Sequence, residues 1–440
     1  MVKIIKKVNY IDLFCGMGGI RIGFEKALDA FGYNGKAVFS SEIKKHAREA
    51  YYRNFHDDEI KGDITQIDEY EIPDFDVLLA GFPCQAFSNA GKRLGFDDTR
   101  GTLFFDIARI LKAKKPVAFL LENVEGLVSH NNGGTLKRMT DVLEDLGYKI
   151  SSAVLDGKDF GLAQTRKRIY ICGSSGKKAI SFEKFKVNRS KLSEIIDYDT
   201  PPLESDFTKK LFSHFELDNI IGKQIKDKRG GKNNIHSWDF ALKGEVSREQ
   251  KELLELLLKH RRNKKWADII GIDWMDGMPL TESMIKTFYN NNNLSDMLED
   301  LTDKNYLVFE HPKKKVGNGR EYDTSLSKGY NIVTGKLSFE YNKILDPNDI
   351  APTIVATDVM KLGVPVNGGI RPLTVREGLR LFGFPESYDL SFLEKDKAFD
   401  LLGNTVCVPI VEEISKCLLK VVSEEIGESE NETTVVRRVV

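Results

Sequence analysis

The sequence predicts an α/β protein, with a mostly parallel sheet in the first part of the chain and an irregular second domain. Short apolar runs alternate with segments of helical periodicity as far as about residue 175, and this alternation is typical of a parallel sheet covered by helices. Beyond that point the chain is polar and rich in lysine and asparagine. We therefore expect a sheet domain over residues 1–175, completed by residues 400–440, and a smaller domain over residues 176–395.

Composition and charge exclude several classes of protein. Apolar residues form 41% of the 440 residues, and the 65 basic side chains nearly balance the 66 acidic ones, for a net charge of -1. No global field attracts this protein to nucleic acid or to a membrane, so such contact needs a local basic surface. The five cysteines form neither a disulfide framework nor a zinc spacing. Because there is no signal peptide and no apolar run of about 18 residues, we expect a soluble, cytoplasmic protein. We also expect a monomer without a metal.

A glycine-rich turn joins the first predicted strand to the first predicted helix. Residues 8–14 are predicted to form a strand, residues 15–19 read Cys-Gly-Met-Gly-Gly, and apolar side chains recur at helical spacing over residues 20–31. Strand, glycine turn and helix make a nucleotide-type cofactor site, because missing side chains let a ligand approach the backbone and the helix offers free N–H groups. The glycines are not spaced as in the dehydrogenase G-x-G-x-x-G pattern. The alternative is a plain tight turn.

Three side chains near this turn favour a cofactor site. Phe14, at the end of the first strand, is placed to stack on an adenine ring, although it would also suit core packing. Glu42 ends the second predicted strand, and an acidic residue roughly 20 positions beyond the glycines binds ribose hydroxyls in such sites. Asp63 follows a further element and is placed to accept a hydrogen bond from an adenine amino group.

A cysteine follows the buried strand predicted over residues 76–80. Gly81 and Pro83 end that strand, and Cys84 comes directly after them. Ligands and chemistry gather beyond the carboxyl ends of strands in open α/β sheets, so Cys84 on a proline-stiffened loop is a candidate nucleophile. The alternative is a small buried hydrophobic residue, which is the usual state of a free cysteine.

Charged side chains accompany two later strands. Glu122 ends the apolar run of residues 116–121, where a carboxylate is costly unless it is paired or protonated; the alternative is an ordinary loop carboxylate. Arg166 and Arg168 have the spacing of one face of a strand over residues 164–171. Taken alone, such a pair is more often a solvated edge than a site.

The second domain contains three local basic runs. They lie in residues 223–232, 259–266 and 313–320, with tryptophan and tyrosine nearby, and acidic stretches balance them. Charge runs are usually solvated faces. Basic runs with aromatic neighbours also suit phosphate contact and base stacking, so we expect nucleic-acid contact somewhere in this domain.

Regular structure is predicted again near the end of the chain. Thr374 is a good N-cap for a short helix. Residues 403–410 are predicted to open a last helix that runs to about residue 422. The chain shows no internal repeat.

Together these motifs resemble those of the DNA (cytosine-5) methyltransferases of bacterial restriction–modification systems. The matching segments occur in the family's order, namely residues 12–19, Pro83-Cys84-Gln85, Glu122-Asn123-Val124, Gln164-x-Arg166-x-Arg168, the helix with Arg376-Glu377, and Gly403-Asn404-Thr405-Val406. The family has a variable target-recognition segment where this chain becomes irregular. Cys15 departs from the pattern, since the family usually has alanine there, and another small residue should be tolerated.

The resemblance implies a particular architecture and particular partners. It implies a Rossmann-like, S-adenosylmethionine-dependent methyltransferase sheet domain, a smaller irregular target-recognition domain, and a DNA cleft between them. Double-stranded DNA is the implied substrate, S-adenosylhomocysteine the implied product, and a cognate restriction endonuclease that acts independently would fit the same system. The family also closes its catalytic domain with the last helix, which should pack beside the cofactor sheet.

The resemblance also assigns roles to the candidate residues. Cys84 would add to carbon-6 of a flipped-out cytosine, so that carbon-5 can accept the methyl group. Glu122 would hold ring nitrogen-3, while Arg166, followed by Arg168, would contact the base carbonyl and orient the loop. The implied cofactor contacts are Phe14, Gly16, Met17, Gly18, Gly19, Glu42, Ile43, Asp63, Ile64, Pro83, Leu103, Asn404 and Val406.

Three other functions are weighed against this one. An RNA cytosine-5 methyltransferase would share the catalytic residues, but the long irregular segment is most simply used as a reader of duplex DNA. A catalytically silent DNA-binding relative is disfavoured by the complete set of Cys84, Glu122 and Arg166. A nicotinamide dehydrogenase is disfavoured by the glycine spacing.

Overall fold

The chain forms two compact units in a computed structural model. The structure describes residues 7–56, 59–83, 103–176, 178–182, 185–317, 319–334, 339–356 and 359–436. The first unit comprises Met1–Ile196, Asn348–Val359 and Thr374–Val440, and the second comprises Asp197–Pro347 and Met360–Leu373. These limits differ from the predicted boundaries at 175/176 and 395, and the division of functions between the units stays a prediction.

The first unit is built on a six-stranded sheet. Its strands are β1 (Lys7–Leu13), β2 (Asn34–Ser41), β3 (Val77–Gly81), β4 (Ala118–Val124), β5 (Lys149–Asp156) and β6 (Lys167–Ser174). In the order β2-β1-β3-β4-β6-β5, only β6 runs against the other strands. The predicted mostly parallel sheet is therefore confirmed. The chain passes from β2 across β1 to β3, which creates a topological switch point between β1 and β3.

Helices cover both faces of this sheet. They are α1 (Gly19–Phe31), α2 (Lys45–Phe55), α3 (Leu103–Lys114) and α4 (Gly134–Asp145). Side chains alternate along β1, so Val8 and Tyr10 join the core that contains α1, while Ile11 and Leu13 join the core that contains α3. Burial on both faces explains why apolar side chains of this strand, Val8 and Tyr10 on one side and Ile11 and Leu13 on the other, point in both directions.

The second unit combines short helices with small sheets. Its helices are α5 (Asp206–Phe212), α6 (Leu217–Ile220), α7 (Arg248–His260), α8 (Lys265–Ile270), α9 (Glu282–Lys286) and α10 (Leu294–Asp303). Its strands are β7 (Gln224–Ile225), β8 (Asn234–Ile235), β9 (Leu307–Glu310), β10 (Lys313–Val316), β11 (Gly319–Tyr322), β12 (Gly329–Ile332), β13 (Lys343–Ile344), β14 (Leu362–Val366) and β15 (Gly369–Pro372). One sheet has the order β15-β14-β13-β7-β8, and the pairs β10-β11 and β9-β12 are antiparallel ribbons.

Three helices complete the first unit: α11 (Val375–Phe382), α12 (Lys395–Asn404) and α13 (Val408–Val436). The predicted cap is confirmed, since the Thr374 hydroxyl accepts from the backbone N–H of Glu377 at 3.1 Å, and the Glu377 carboxylate accepts from Thr374 N–H at 2.8 Å. The prediction that residues 403–410 open a helix was wrong in its first half. Gly403 and Asn404 end α12, and α13 begins only at Val408 because Pro409 is tolerated in the first turn of a helix but not in its interior.

The helix α13 packs closely against α1 at Gly23. A Cβ atom at this position would lie 2.6 Å from Val411 Cβ and 2.9 Å from the backbone oxygen of Val408. The absence of a side chain at Gly23 thus sets the distance between the two helices. No helix among the described residues is long and apolar enough to cross a membrane.

We expect Gly23→Ala to lower the free energy of unfolding by about 1–3 kcal/mol, because the methyl group overpacks the contact with α13. Urea denaturation would measure the change. Alanine has the higher helix propensity by about 1 kcal/mol, so a gain in stability would show that propensity outweighs packing here. Asp29→Ala, on the exposed side of the same helix, serves as the control and should change stability by no more than about 0.5 kcal/mol.

Candidate active site

A cavity of about 330 Å³ lies in the first unit, at the carboxyl ends of its strands. It is bordered by the residues that follow β1 and β3, on either side of the switch point, which is where ligands bind in open α/β sheets. Its volume lies in the range of small-molecule sites. The sequence-predicted residues on its wall are Phe14, Gly16, Met17, Gly19, Glu42, Ile43, Asp63, Ile64, Pro83, Leu103, Glu122, Arg166, Arg168, Asn404 and Val406. Cys84 lies outside the described residues, and Gly18 is not on the wall.

The three glycines of the turn differ in what a Cβ atom would meet at each position. Gly16 has φ +54°, and a Cβ there would meet nothing within 4 Å, so the turn leaves room beside it. Gly18 has φ +82°, and a Cβ there would collide with the ring of Phe55. At Gly19 a Cβ would lie 2.7 Å from Thr405 Oγ1. Only Gly16 combines a left-handed backbone with open space on the cavity, whereas Gly18 and Gly19 allow close packing.

Phe14 adopts an unusual backbone conformation at the cavity wall. Its φ is +53°, a left-handed region that costs free energy for any residue with a Cβ and that clusters at functional sites. The next residue is fixed, because the Cys15 N–H donates to the Ser41 carbonyl at 3.0 Å. Phe14 lines the cavity and also packs against the apolar core that contains α3, so the two interpretations of this residue hold together.

Glu42 links the glycine turn to the start of α2. One carboxylate oxygen accepts from the Gly16 N–H at 2.9 Å and the other from the Lys44 N–H at 2.8 Å. A carboxylate has about four acceptor positions, so each oxygen can still accept a second bond from a ligand. Glu42 thus holds the turn in place and also presents acceptors to the cavity.

Two further predicted cofactor contacts are Ile43, which follows β2, and Asp63, which follows α2. The Asp63 carboxylate accepts from the Thr65 N–H at 3.0 Å and caps a short helical turn. Ile43 is 67% exposed although it lines the cavity, while its partner on the wall, Ile64, is 3% exposed. An exposed isoleucine beside Phe14 gives the cavity a second apolar surface suited to a flat ring.

Sequence reasoning missed a polar cluster at the rim of the cavity. Asp400 of α12 pairs with Lys44 Nζ at 2.8 Å and with His46 Nε2 at 3.0 Å, and it accepts from the Asn404 amide at 3.1 Å. Lys44 and Asn404 both line the cavity. The cluster joins the start of α2 to the end of α12, a pairing that no spacing in the sequence could indicate.

Glu122 is buried on the cavity wall and paired with Arg168. The carboxylate is only 9% exposed, and its Oε1 lies 3.1 Å from Arg168 Nε. Burial raises the pKa of Glu122 above its ordinary value, and the charges of Arg168 and Arg166 oppose that shift. A raised pKa is what a carboxyl group needs if it is to carry a proton to a ligand near neutral pH.

Arg166 has a different position from the one predicted. It lies before β6 and is 1% exposed, not on a strand face beside Arg168. Its guanidinium donates to the backbone carbonyls of Ile354 at 3.0 Å, Gly403 at 3.1 Å and Thr405 at 2.6 Å. Arg168 contacts Glu122, whereas Arg166 donates to the backbone of the cavity wall, and both line the cavity. Which of the two contacts a base stays a prediction.

Asn123 is a further residue that sequence reasoning did not single out. Its amide donates to the Phe82 carbonyl at 3.0 Å, and its side-chain oxygen accepts from the Val124 N–H at 2.8 Å. It thus fixes the chain leaving β3, two residues before Cys84. Its place directly after Glu122 in the Glu-Asn-Val motif was the available signal.

Fold and site together define a doubly wound α/β enzyme with a cofactor-type cavity at its switch point. Residues 8–420 match the family of C-5 cytosine-specific DNA methylases. The chain belongs to this family, whose members methylate carbon-5 of cytosine in DNA, and the resemblance seen in the motifs is confirmed.

Similar proteins cover nearly the whole chain. The Type II methyltransferase M.NlaIV of Neisseria lactamica is 57% identical over 94% of this chain and 99% of its own length. The Type II methyltransferase M.BanI of Aneurinibacillus aneurinilyticus is 40% identical over 94% of this chain and 96% of its own length. The structure of the Dnmt2 methyltransferase of S. pombe matches with a TM-score of 0.53 at 16% identity, over 94% of this chain and 98% of that one. This last likeness concerns the fold alone.

We expect Arg166→Met to destabilise the protein by about 3–5 kcal/mol, because it leaves three buried carbonyl groups without a donor. Chemical denaturation of the purified variant would measure the loss. Lys167→Met, at the exposed neighbouring position, is the matched control and should stay within about 0.5 kcal/mol. Equal stability of the two variants would contradict the role given to the Arg166 hydrogen bonds.

Proposed function

We propose that this enzyme transfers the methyl group of S-adenosylmethionine to a cytosine flipped out of duplex DNA, with Cys84 as the nucleophile. The observation that carries the proposal is the position of Glu122. Its buried carboxyl group, paired with Arg168, lies on the wall of the same cavity as Phe14 and Glu42. A base held by Glu122 would therefore lie next to a cofactor held by the glycine turn.

The cavity residues fit the proposed cofactor. Glu42 offers acceptors for ribose hydroxyls, and Phe14 and Ile43 offer apolar surfaces for an adenine ring. Asp63 has a carboxylate for the adenine amino group, and the open side of Gly16 leaves room for the ligand against the backbone. When bound, S-adenosylmethionine supplies a methyl group on a positively charged sulfur.

The proposed chemistry begins with the Cys84 thiolate, the reactive form of a cysteine. The thiolate adds to carbon-6 of cytosine, while Glu122 holds ring nitrogen-3 and its proton offsets the charge that develops on the ring. Carbon-5 becomes nucleophilic and takes the methyl group. A base, for which solvent water suffices, then takes the carbon-5 proton; the electron pair of that carbon–hydrogen bond restores the ring double bond, and the carbon-6–sulfur bond breaks to release the thiolate. Pro83, the residue before Cys84, lines the cavity that contains Glu122.

The two arginines receive different roles in this proposal. Arg168, which touches the Glu122 carboxylate, is the better candidate for the contact with the base carbonyl. Arg166 acts as a positioning residue, since its donors already hold the backbone at Ile354, Gly403 and Thr405.

The remaining partners follow from the substrate. A cytosine inside a duplex cannot reach Glu122 and must be flipped out, at a cost of a few kcal/mol. Because the relatives M.NlaIV and M.BanI are named Type II methyltransferases, we place this enzyme in a restriction–modification system, where an endonuclease with the same target acts independently. We further propose that it acts as a monomer in the cytoplasm, where its DNA is found.

We expect Cys84→Ala to lower methyl transfer by more than about 10³-fold, because no thiolate remains to activate carbon-5. Tritium transfer from S-adenosylmethionine to duplex DNA would measure it. S-adenosylmethionine should still bind within a few-fold of its normal affinity. The unchanged protein should form a covalent adduct with DNA that contains 5-fluorocytosine, and the variant should form none.

Cys417→Ala, in the half-buried part of α13, is the control for loss of a thiol and should retain transfer. Turnover that survives in Cys84→Ala would remove Cys84 from its proposed role. Transfer to transfer RNA but not to duplex DNA would favour the RNA methyltransferase.

Glu42→Gln should weaken S-adenosylmethionine binding about 10- to 100-fold, because it removes the charge from acceptors proposed to serve the ribose hydroxyls. Isothermal titration calorimetry on the enzyme without DNA isolates this effect from catalysis. Glu49→Gln, which removes an exposed carboxylate paired with Arg53 on α2, provides the comparison. If both variants bind the cofactor as tightly as the unchanged enzyme, Glu42 serves only to hold the turn.

A further inference from the structure

The antiparallel ribbon β10-β11 has two chemically different faces. Directly opposed residues share a face, and side chains alternate between faces along each strand. The register pairs Lys313 with Tyr322 and Lys315 with Arg320, so these four residues share one face. Lys314, Val316, Gly319 and Glu321 share the other face. One face therefore carries three cations and an aromatic ring and has no carboxylate of its own.

This ribbon is exposed along almost its whole length. Of its eight residues only Lys313 is half-buried, and Val316 and Tyr322 are 43% and 51% exposed. Such a ribbon contributes little to a core. When a partner orders its exposed lysine and arginine side chains, they lose conformational entropy. A two-stranded ribbon of this kind is also one of the two elements that fit into a groove of DNA.

Some cations of the other basic runs have partners within the second unit, although those runs also hold exposed lysines such as Lys232, Lys259 and Lys264. Asp276 lies 3.4 Å from Lys228 Nζ and 3.7 Å from Arg229 Nη2, and it also pairs with Arg262. Arg261 is 2% exposed and donates to Asn331 at 2.6 Å. These cations therefore support the fold of the unit. The three cations on the ribbon face show no carboxylate within 4 Å among the described residues.

The neighbours of the ribbon face show which of its groups are available. The Arg320 guanidinium donates to the Trp274 carbonyl at 3.0 Å and is 3.5 Å from the Asp273 carbonyl. Lys313 Nζ lies 4.6 Å from the centre of the Tyr322 ring. The Tyr322 hydroxyl donates to Glu310 Oε2 at 2.8 Å, so one carboxylate borders this face. Lys315 and Arg320 also border a shallow depression that Asp273 and Gly319 complete. Because the Arg320 guanidinium already faces protein carbonyls, it is not positioned to form two hydrogen bonds with the edge of a guanine base.

We propose that the face formed by Lys313, Lys315, Arg320 and Tyr322 binds the phosphate backbone of duplex DNA and supplies affinity that is independent of base sequence. Lysine ammonium groups act as point charges for phosphate, and each one that neutralises a phosphate adds to the salt dependence of binding. The inference rests on the proposed function for the identity of the ligand. It adds that the ribbon face holds the DNA backbone and that this face does not read the base sequence.

The test compares the double variant Lys313→Gln/Lys315→Gln with Lys314→Gln on the opposite face of the same strand. Lys314 is paired with Asp323 at 3.5 Å, so this control removes one charge from the same ribbon without touching the proposed surface. Two duplexes are used: a fragment that the enzyme methylates, found by bisulfite sequencing of DNA from expressing cells, and a fragment of equal length that it leaves unmodified. Dissociation constants are measured from 50 to 200 mM salt.

We expect the double variant to bind both duplexes several-fold more weakly and by the same factor. The slope of log affinity against log salt should fall by about 1 for each lysine that contacts a phosphate. Lys314→Gln should retain the slope of the unchanged enzyme. Turnover at saturating DNA should be the same in all three proteins.

Three results would overturn the assignment. An unchanged slope in the double variant removes the ribbon from the DNA contact. An equal loss in Lys314→Gln shows that net charge, and not this face, is what matters. A loss confined to the methylated duplex shows that the ribbon reads bases. Lack of methyl transfer to DNA by the unchanged enzyme would instead refute the proposed function, and the salt slopes would still decide the role of the ribbon.

Discussion

The three hydrogen bonds from Arg166 to backbone carbonyls are the constraint on which the first unit depends. They join a residue beside the sheet to Ile354, Gly403 and Thr405, which lie at least 188 positions further along the chain. A buried guanidinium is costly unless its donors are used, and buried carbonyls are costly unless they accept. The three carbonyls thus accept from Nη1 and Nη2 of Arg166, while its buried Nε has no partner among the described residues, and these bonds tie the late segments to the cavity wall.

The two carboxylates on the cavity wall show how surroundings separate the roles of similar groups. Glu42 receives N–H donors from Gly16 and Lys44, at the amino end of a helix and a glycine turn. Glu122 forms an ion pair with Arg168 and is buried, and this burial raises its pKa. The first is suited to accept hydrogen bonds and the second to hold a proton, as the proposed cofactor and base sites require.

Much of the first unit could be predicted from the sequence, because its strands are apolar runs and its helices have clear periodicity. Strand ends also located Phe14, Glu42 and Glu122 at one edge of the sheet. What failed depended on distant parts of the chain. The partners of Arg166 and of Asp400 come from segments hundreds of residues away, and local spacing could not distinguish Arg166 from Arg168. The assignment of Gly18 to the cofactor stays a prediction, and local spacing could not indicate that a Cβ there would collide with the ring of Phe55, a residue from another helix.

The close contact between α1 and α13 has a consequence for the order of events during synthesis. The apolar face of α1 is covered by α13, a helix from a much later part of the chain. At about 5–20 residues per second, roughly 20–80 seconds pass between the emergence of the two helices from the ribosome. During that interval the nascent chain exposes a hydrophobic surface to which chaperones can bind, and a translation product that ends before α13 lacks the cover of this surface.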